Sequence, residues 1–74
     1  MTNTSTTPGI TIDPDLLGGK PTIAGTRIGV DLILEKLGDG ETIEDILRDF
    51  PHLRRDQVVA AINYAAQLVR QISA

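Results

Sequence analysis

Three amphipathic helices are predicted from the spacing of apolar residues in the second part of the chain. Apolar positions recur there at intervals of three and four residues, which is the period of one helix face. The three stripes consist of Val30, Ile33, Leu34 and Leu37; of Ile43, Ile46, Leu47 and Phe50; and of Val58, Ala61, Ile62, Ala65, Leu68, Val69 and Ile72. The last helix is predicted to run from about Arg55 to Ile72.

Residues suited to helix ends separate these stripes. Gly38 is predicted to cap the end of the first helix, because glycine tolerates the left-handed backbone found there. Thr42 is predicted to cap the start of the second helix with its hydroxyl. Pro51 is predicted to end that helix, leaving a short turn before the third.

The first third of the chain has the pattern of short β-strands. Residues 10–12, Ile-Thr-Ile, alternate and stop before Pro14, which predicts a strand. Residues 20–28 predict a tight hairpin or paired extended segments, turning at Gly25 with positive φ. Residues 1–8 are polar and are predicted to be a disordered tail, which leaves residues 9–74 as a single domain.

The third helix is too long to be covered by the other two. About 18 residues span roughly 27 Å, about twice the length of either earlier helix. We therefore expect its C-terminal half (Ala65, Leu68, Val69 and Ile72) to pack on another subunit, as in a homodimer. The alternative is packing on the N-terminal strands. A chain of 74 residues buries only roughly 60 % of its unfolded surface, which also favours association.

Composition excludes several classes of protein. The chain has no Cys and one His, so disulfides, thiolate metal sites and cysteine nucleophiles are excluded, and no enzyme site or cofactor site is predicted. No apolar run approaches the roughly 18 residues of a membrane span, and no secretory signal is present, so a cytoplasmic protein without membrane contact is expected. Gly18-Gly19-Lys20 is not a phosphate loop, because the positions where that motif needs Gly and Ser or Thr hold Pro14 and Pro21.

Charge is unevenly distributed along the chain. Ten acidic and seven basic residues give a net charge of −3, yet residues 29–50 alone carry 2 − 7 = −5. Four carboxylates there are predicted to be a solvated face or a face for a basic partner: Glu41, Glu44, Asp45 and Asp49. His52 has no second ligand at metal spacing and is predicted to lie on the surface of the turn.

The second helix, the turn and the third helix have helix-turn-helix spacing. In that motif the start of the third helix enters the major groove of DNA. Arg54, Arg55 and Gln57 occupy this position and could bind phosphates or base edges. Alternatively, the arginines are solvated surface on a helix-turn-helix that serves only as a scaffold.

Several segments together resemble a known family, and the resemblance covers about residues 10–66. They are residues 12–14 (Ile-Asp-Pro), 19–30 (Gly-Lys-Pro-Thr-Ile-Ala-Gly-Thr-Arg-Ile-Gly-Val), 37–40 (Leu-Gly-Asp-Gly), 46–53 (Ile-Leu-Arg-Asp-Phe-Pro-His-Leu) and 60–65 (Ala-Ala-Ile-Asn-Tyr-Ala). This pattern resembles domain-of-unknown-function family 433, a family of VapB-like antitoxins. The family often has Ser or Thr where this chain has Arg54, so the hydroxyl cap of the third helix is missing here.

The resemblance implies a fold and a function. The fold is mainly α: a homeodomain-like three-helix helix-turn-helix domain with a small N-terminal β-element. The implied function is that of a dimeric type II antitoxin, which neutralises a PIN-like RNase toxin and binds operator DNA to regulate its own operon. The alternative is a protein-interaction or dimerisation module that keeps the helix-turn-helix without binding DNA.

The Gly25-Thr26-Arg27 segment is predicted to be a structural turn. Gly25 would supply positive φ, and Thr26 would supply local hydrogen bonds. Arg27 is predicted to brace the fold by pairing with Asp13 or Asp31, in preference to an exposed contact with nucleic acid.

Overall fold

The computed structural model describes residues 5–73, and side chains from residue 8 to residue 72. Three short strands and a 3-10 turn precede three helices. The strands are β1 (Ser5–Thr7), β2 (Ile10–Ile12) and β3 (Pro21–Ile23), with the 3-10 turn at Leu17–Gly19. The helices are α1 (Val30–Gly38), α2 (Ile43–Asp49) and α3 (Arg55–Ser73). The predicted mainly α fold with a small N-terminal β-element is thus confirmed.

The strands form one antiparallel sheet in the order β1-β2-β3. Ile10 lies opposite Ile23 in the register, and both side chains are fully buried. Strand β1 lies inside the stretch 1–8 that was predicted to be a disordered tail. The structure differs there because backbone pairing with β2 requires no apolar side chain. Residues 1–4 of the predicted tail lie outside the described residues.

Only the first arm of the predicted 20–28 hairpin is a strand. Gly25 has φ +79°, as predicted for the turn. The return arm makes one ladder-like bond, from Ile23 N–H to the Ile28 carbonyl (2.9 Å), and one isolated bridge between Thr22 and Gly29. The hydroxyl of Thr26 donates to the Ile23 carbonyl (2.7 Å) and accepts from Ile28 N–H (3.0 Å). These local bonds hold the segment as a compact loop instead of a second strand.

The end of α1 is set by a different glycine from the one predicted. Gly38 is the last residue inside the helix, and Gly40, with φ +95°, adopts the left-handed conformation. Gly40 N–H donates to the Leu37 carbonyl and Glu41 N–H to the Lys36 carbonyl, each at 3.0 Å. This pair of bonds is the Schellman arrangement, which satisfies the last carbonyls of the helix.

The predicted cap of α2 is confirmed and is reciprocal. Asp45 N–H donates to the Thr42 hydroxyl (3.1 Å), and Thr42 N–H donates to the Asp45 carboxylate (2.9 Å). The bond from the Thr42 backbone is the main reason why the pKa of Asp45 lies below its ordinary value of 3.8. The ionised carboxylate therefore stabilises the start of α2.

Acid should remove this contribution. The pKa of Asp45 is lower in the folded chain than in the unfolded one, so its stabilisation is present above pH 3.8 and lost as the pH falls through the folded value. Asp45→Asn is therefore expected to lower the free energy of unfolding, measured with urea, at neutral pH. The difference between the parent chain and the variant should become smaller toward pH 3. Glu35→Gln, which removes an α1 carboxylate without an ion pair among the described residues, is the control. A difference for Asp45→Asn that does not change with pH would contradict this assignment.

The core lies between the isoleucine face of the sheet and the three helices. Eight apolar side chains are buried in it: Ile10, Ile23, Val30, Ile33, Ile46, Leu53, Val58 and Ala61. Of these, only Val58 and Ala61 come from α3, and both belong to its first half. The core therefore supports the start of α3 and leaves its C-terminal half beyond the edge of the packed region.

Candidate functional site

The C-terminal half of α3 exposes large apolar side chains. Leu68 is 43 % exposed, Val69 60 % and Ile72 78 %. Leu34 of α1 is 37 % exposed and lines a groove together with Leu68. We call Leu68, Val69 and Ile72 the α3 apolar face, which Leu34 of α1 borders at Leu68. Exposed apolar side chains in one patch are typical of an interaction surface.

A shallow groove of about 240 Å³ continues this face between α1 and α3. Its walls are mostly apolar and are formed by Val30, Leu34, Tyr64, Ala65 and Leu68, with Lys20, Pro21 and Asp31 also lining it. Lys20 Nζ lies 3.1 Å from the Asp31 carboxylate, and this hydrogen bond lowers the pKa of Asp31. The groove thus combines an apolar floor with an ion pair.

The four residues predicted at a subunit interface do not share one environment. Ala65 is half-buried and packs against the core of its own subunit. Leu68, Val69 and Ile72 are exposed in the described chain. The subunit interface itself stays a prediction.

The three residues predicted to contact DNA lie together at the start of α3. Arg54 Nε lies 3.1 Å from the Asp56 carboxylate, and Arg55 forms an ion pair with Glu44 of α2. The amide oxygen of Gln57 accepts a hydrogen bond from Arg54 N–H (2.8 Å). This bond is the half of a capping box in which the side chain three residues on accepts from the cap N–H. It does not replace the missing hydroxyl, which would itself accept from an N–H of the first turn. Both arginine side chains remain largely exposed, and water weakens such pairs.

The four carboxylates on and just before α2 pair with three basic side chains of the same chain. Lys36 binds Glu41 (3.5 Å) and Asp49 (3.2 Å), and its ammonium lies 5.7 Å from the Phe50 ring centroid. The hydrogen bond to Asp49 is the main cause that raises the pKa of Lys36. The other two carboxylates also have basic partners: Asp45 pairs with Arg48, and Glu44 with Arg55. Asp49 and Glu44 thus link α2 to α1 and to α3, whereas Asp45 pairs within α2. These pairs weaken the case for a bare acidic face.

The predicted brace at Arg27 is wrong for the described residues. Asp31 is held by Lys20 instead, and an Asp13 carboxylate oxygen accepts from Asp15 N–H (2.9 Å). Arg27 is exposed and makes no ion pair in the described chain. The bridge between Thr22 and Gly29 brings Lys20 close to the first turn of α1, a proximity that residue spacing alone does not reveal.

Metal-binding and membrane-spanning features are absent from the part of the chain that the structure describes. No cluster of three or more His, Cys, Asp or Glu side chains there could hold a metal ion. The described helices include none with the length and apolar character needed to cross a membrane. His52 lies exposed in the turn before α3.

Comparison with known proteins gives three consistent matches. The family described as "Protein of unknown function (DUF433)" matches residues 10–65, so Leu68, Val69 and Ile72 lie beyond the matched range. The uncharacterized protein y4eO of Sinorhizobium fredii (strain NBRC 101917 / NGR234) is 34 % identical over 56 residues, which cover 76 % of this chain but only 25 % of that protein. The crystal structure of a DUF433 member protein from Anabaena variabilis ATCC 29413 is 31 % identical, with a TM-score of 0.79, over 88 % of this chain and 64 % of that one. A family match over more than half of the sequence, supported by the similar fold, shows that the chain belongs to the DUF433 family.

Proposed function

We propose that this chain is a homodimeric antitoxin of the VapB type, which acts by binding a PIN-like RNase toxin and not by catalysis. The observation that carries the proposal is the α3 apolar face. Burying apolar surface contributes roughly 25 cal/mol per Å², so a partner that covers Leu68, Val69 and Ile72 gains the stabilisation that one subunit leaves unused. A second copy is always available to supply that cover.

The absence of catalysis is part of the proposal. The carboxylates that could have formed an acid site, Glu41, Glu44, Asp45 and Asp49, each lie in an ion pair with a basic side chain. A general acid or base needs a substrate within hydrogen-bond reach, whereas these groups are paired with Lys36, Arg48 and Arg55. The antitoxin role comes from the resemblance to VapB-like antitoxins.

Neutralisation of a toxin can be tested in growing cells. The PIN-like protein encoded in the reading frame next to this chain would be expressed alone and together with it. We expect growth arrest in the first case and relief in the second. If the neighbouring frame encodes no PIN-like protein, or if growth is not restored, the antitoxin proposal fails.

Binding of operator DNA is a second candidate function, favoured by the exposed position of Arg54 and Arg55 at the start of α3. Their ion pairs with Asp56 and Glu44 compete with phosphate and favour the alternative, an interaction module without DNA binding. A gel shift with the upstream DNA, with and without the toxin, separates the two. No shift in either case would remove the DNA function.

If the chain binds DNA, Arg54 and Arg55 should determine how strongly the binding constant depends on salt concentration. Arg54→Ala and Arg55→Ala are each expected to weaken binding and to reduce the slope of log K against log salt by about 1, because each loses one phosphate contact. Arg70→Ala removes the same charge about 15 residues along α3, roughly 22 Å away, and is the control. Equal slopes for all three variants would contradict a contact at the start of α3.

A further inference from the structure

We propose that Arg27 is the anchor of a binding site for a small phosphate-bearing ligand, in the loop between β3 and α1. This inference is independent of the antitoxin proposal. Five of the seven basic residues form ion pairs among the described residues: Lys20, Lys36, Arg48, Arg54 and Arg55. Arg27 forms none there, although acidic residues outnumber basic ones by ten to seven.

The backbone around Arg27 is held firmly on both sides. Before it, Gly25 turns the chain at φ +79°, and the Thr26 hydroxyl binds the Ile23 carbonyl at 2.7 Å. After it, Ile28 N–H donates to the same hydroxyl at 3.0 Å, and the Ile28 side chain packs against the core. The fixed turn spares the backbone's share of the ordering entropy on binding, while the Arg27 side chain still loses rotamer freedom. The turn thus holds the backbone of Arg27 at a defined position for a partner outside the subunit.

Arg27 borders an open cavity of about 320 Å³, whose lining residues include three threonines. The walls are formed by Thr11, Leu16, Thr22, Gly25 and Thr26, together with Arg27 itself. Thr22 is 1 % exposed and its hydroxyl donates to the Thr11 carbonyl (3.2 Å). The Thr11 hydroxyl has no hydrogen-bond partner among the described residues, so it can donate to a ligand. The volume suits a small ligand.

The donors in this cavity favour phosphate over other ligands. Arg27 offers a fork of N–H donors that matches two oxygens of a phosphate, and Thr11 adds an O–H donor. No carboxylate is among the residues that line the cavity, and Arg27 is the charged group there. Phosphate carries more charge and more acceptor oxygens than a carboxylate and can bind both donors at once. A free phosphate and a nucleic-acid phosphate share this chemistry, and the cavity size favours the small ligand.

The test is a titration of the ¹⁵N-labelled full chain with inorganic phosphate at constant ionic strength, followed by NMR. We expect saturable shifts of the amides of Thr11, Gly25, Thr26 and Arg27. Arg27→Gln is expected to weaken phosphate binding about tenfold or more, because a charged hydrogen bond is lost. Arg27→Lys keeps the charge without the fork and should give an intermediate affinity. Arg70→Gln removes the other arginine without an ion pair among the described residues and should bind like the parent chain.

Further arms of the titration identify the source of the phosphate. Acetate should bind at least several-fold more weakly than phosphate, and an equal affinity would overturn the proposal. A short DNA duplex that shifts the same amides in an Arg27-dependent manner, when free phosphate does not, would overturn the small ligand in favour of a nucleic-acid phosphate. Shifts that do not saturate, or that are equal in Arg27→Gln and Arg70→Gln, would overturn the site itself. A dispersed spectrum for Arg27→Gln establishes that this variant is folded.

Discussion

Ile33→Ala is expected to lower the free energy of unfolding by about 3 kcal/mol, because it removes most of a fully buried side chain and leaves a cavity. Ile33 lies on α1 in the core cluster that joins the helices to the sheet. The free energy of unfolding of most proteins is roughly 5–15 kcal/mol, and small domains lie at the low end of this range. This one change should therefore remove a large part of the total stability.

Urea unfolding followed by circular dichroism measures this loss. Leu32→Ala is the matched control, since Leu32 neighbours Ile33 in the same helix but is 36 % exposed. We expect the control to cost less than about 1 kcal/mol. Similar losses for the two variants would mean that the core does not lie where the structure places it.

The double variant Leu68→Asp with Ile72→Asp is expected to raise the dimer dissociation constant at least about a hundredfold. Full burial of a Leu or Ile side chain contributes about 1.5–3 kcal/mol. A partner can cover only the exposed 43 % of Leu68 and 78 % of Ile72, but both subunits lose this contact, so the total exceeds the roughly 2.8 kcal/mol that corresponds to a factor of a hundred. The introduced carboxylates would also have to be desolvated at the interface. The subunit should stay folded, because both side chains are exposed.

Gln67→Asp with Gln71→Asp provides the control for this variant. It adds the same two charges one residue earlier in each case, at exposed glutamines of α3. We expect its dissociation constant, measured by sedimentation equilibrium, to stay within a few-fold of the parent value. Equal weakening in both double variants would indicate a general charge effect and would contradict a dimer interface at Leu68 and Ile72.

The helices could be predicted from sequence because their signals are local. The apolar period sets the buried face. Thr42 marks the start of α2 by accepting a hydrogen bond from a residue only three positions away in the sequence. The end of α1 is harder to predict, because Gly38 and Gly40 could both adopt the left-handed conformation. Only the positions of the final helix carbonyls decide between them. Strand β1 has no apolar pattern, since its structure depends on pairing with β2.

The candidate sites depended on contacts that sequence spacing does not encode. The position of Arg54, Arg55 and Gln57 at the start of α3 followed from the helix pattern, but the pairing of Arg55 with Glu44 depends on how α2 and α3 pack. Similarly, Lys20 and not Arg27 reaches Asp31, because the loop after β3 folds back toward α1. Charge complementarity identified plausible partners, and the geometry of the loops selected among them.

The mass of the unmodified chain in solution tests the central claim most directly, namely that the α3 apolar face is covered by a second copy. One chain has a mass of 8.0 kDa, so sedimentation equilibrium at micromolar concentration should give 2 × 8.0 = 16.0 kDa. Dilution should lower this value toward 8.0 kDa along a single monomer–dimer isotherm. A mass of 8.0 kDa at every concentration, up to the millimolar range, would contradict the account.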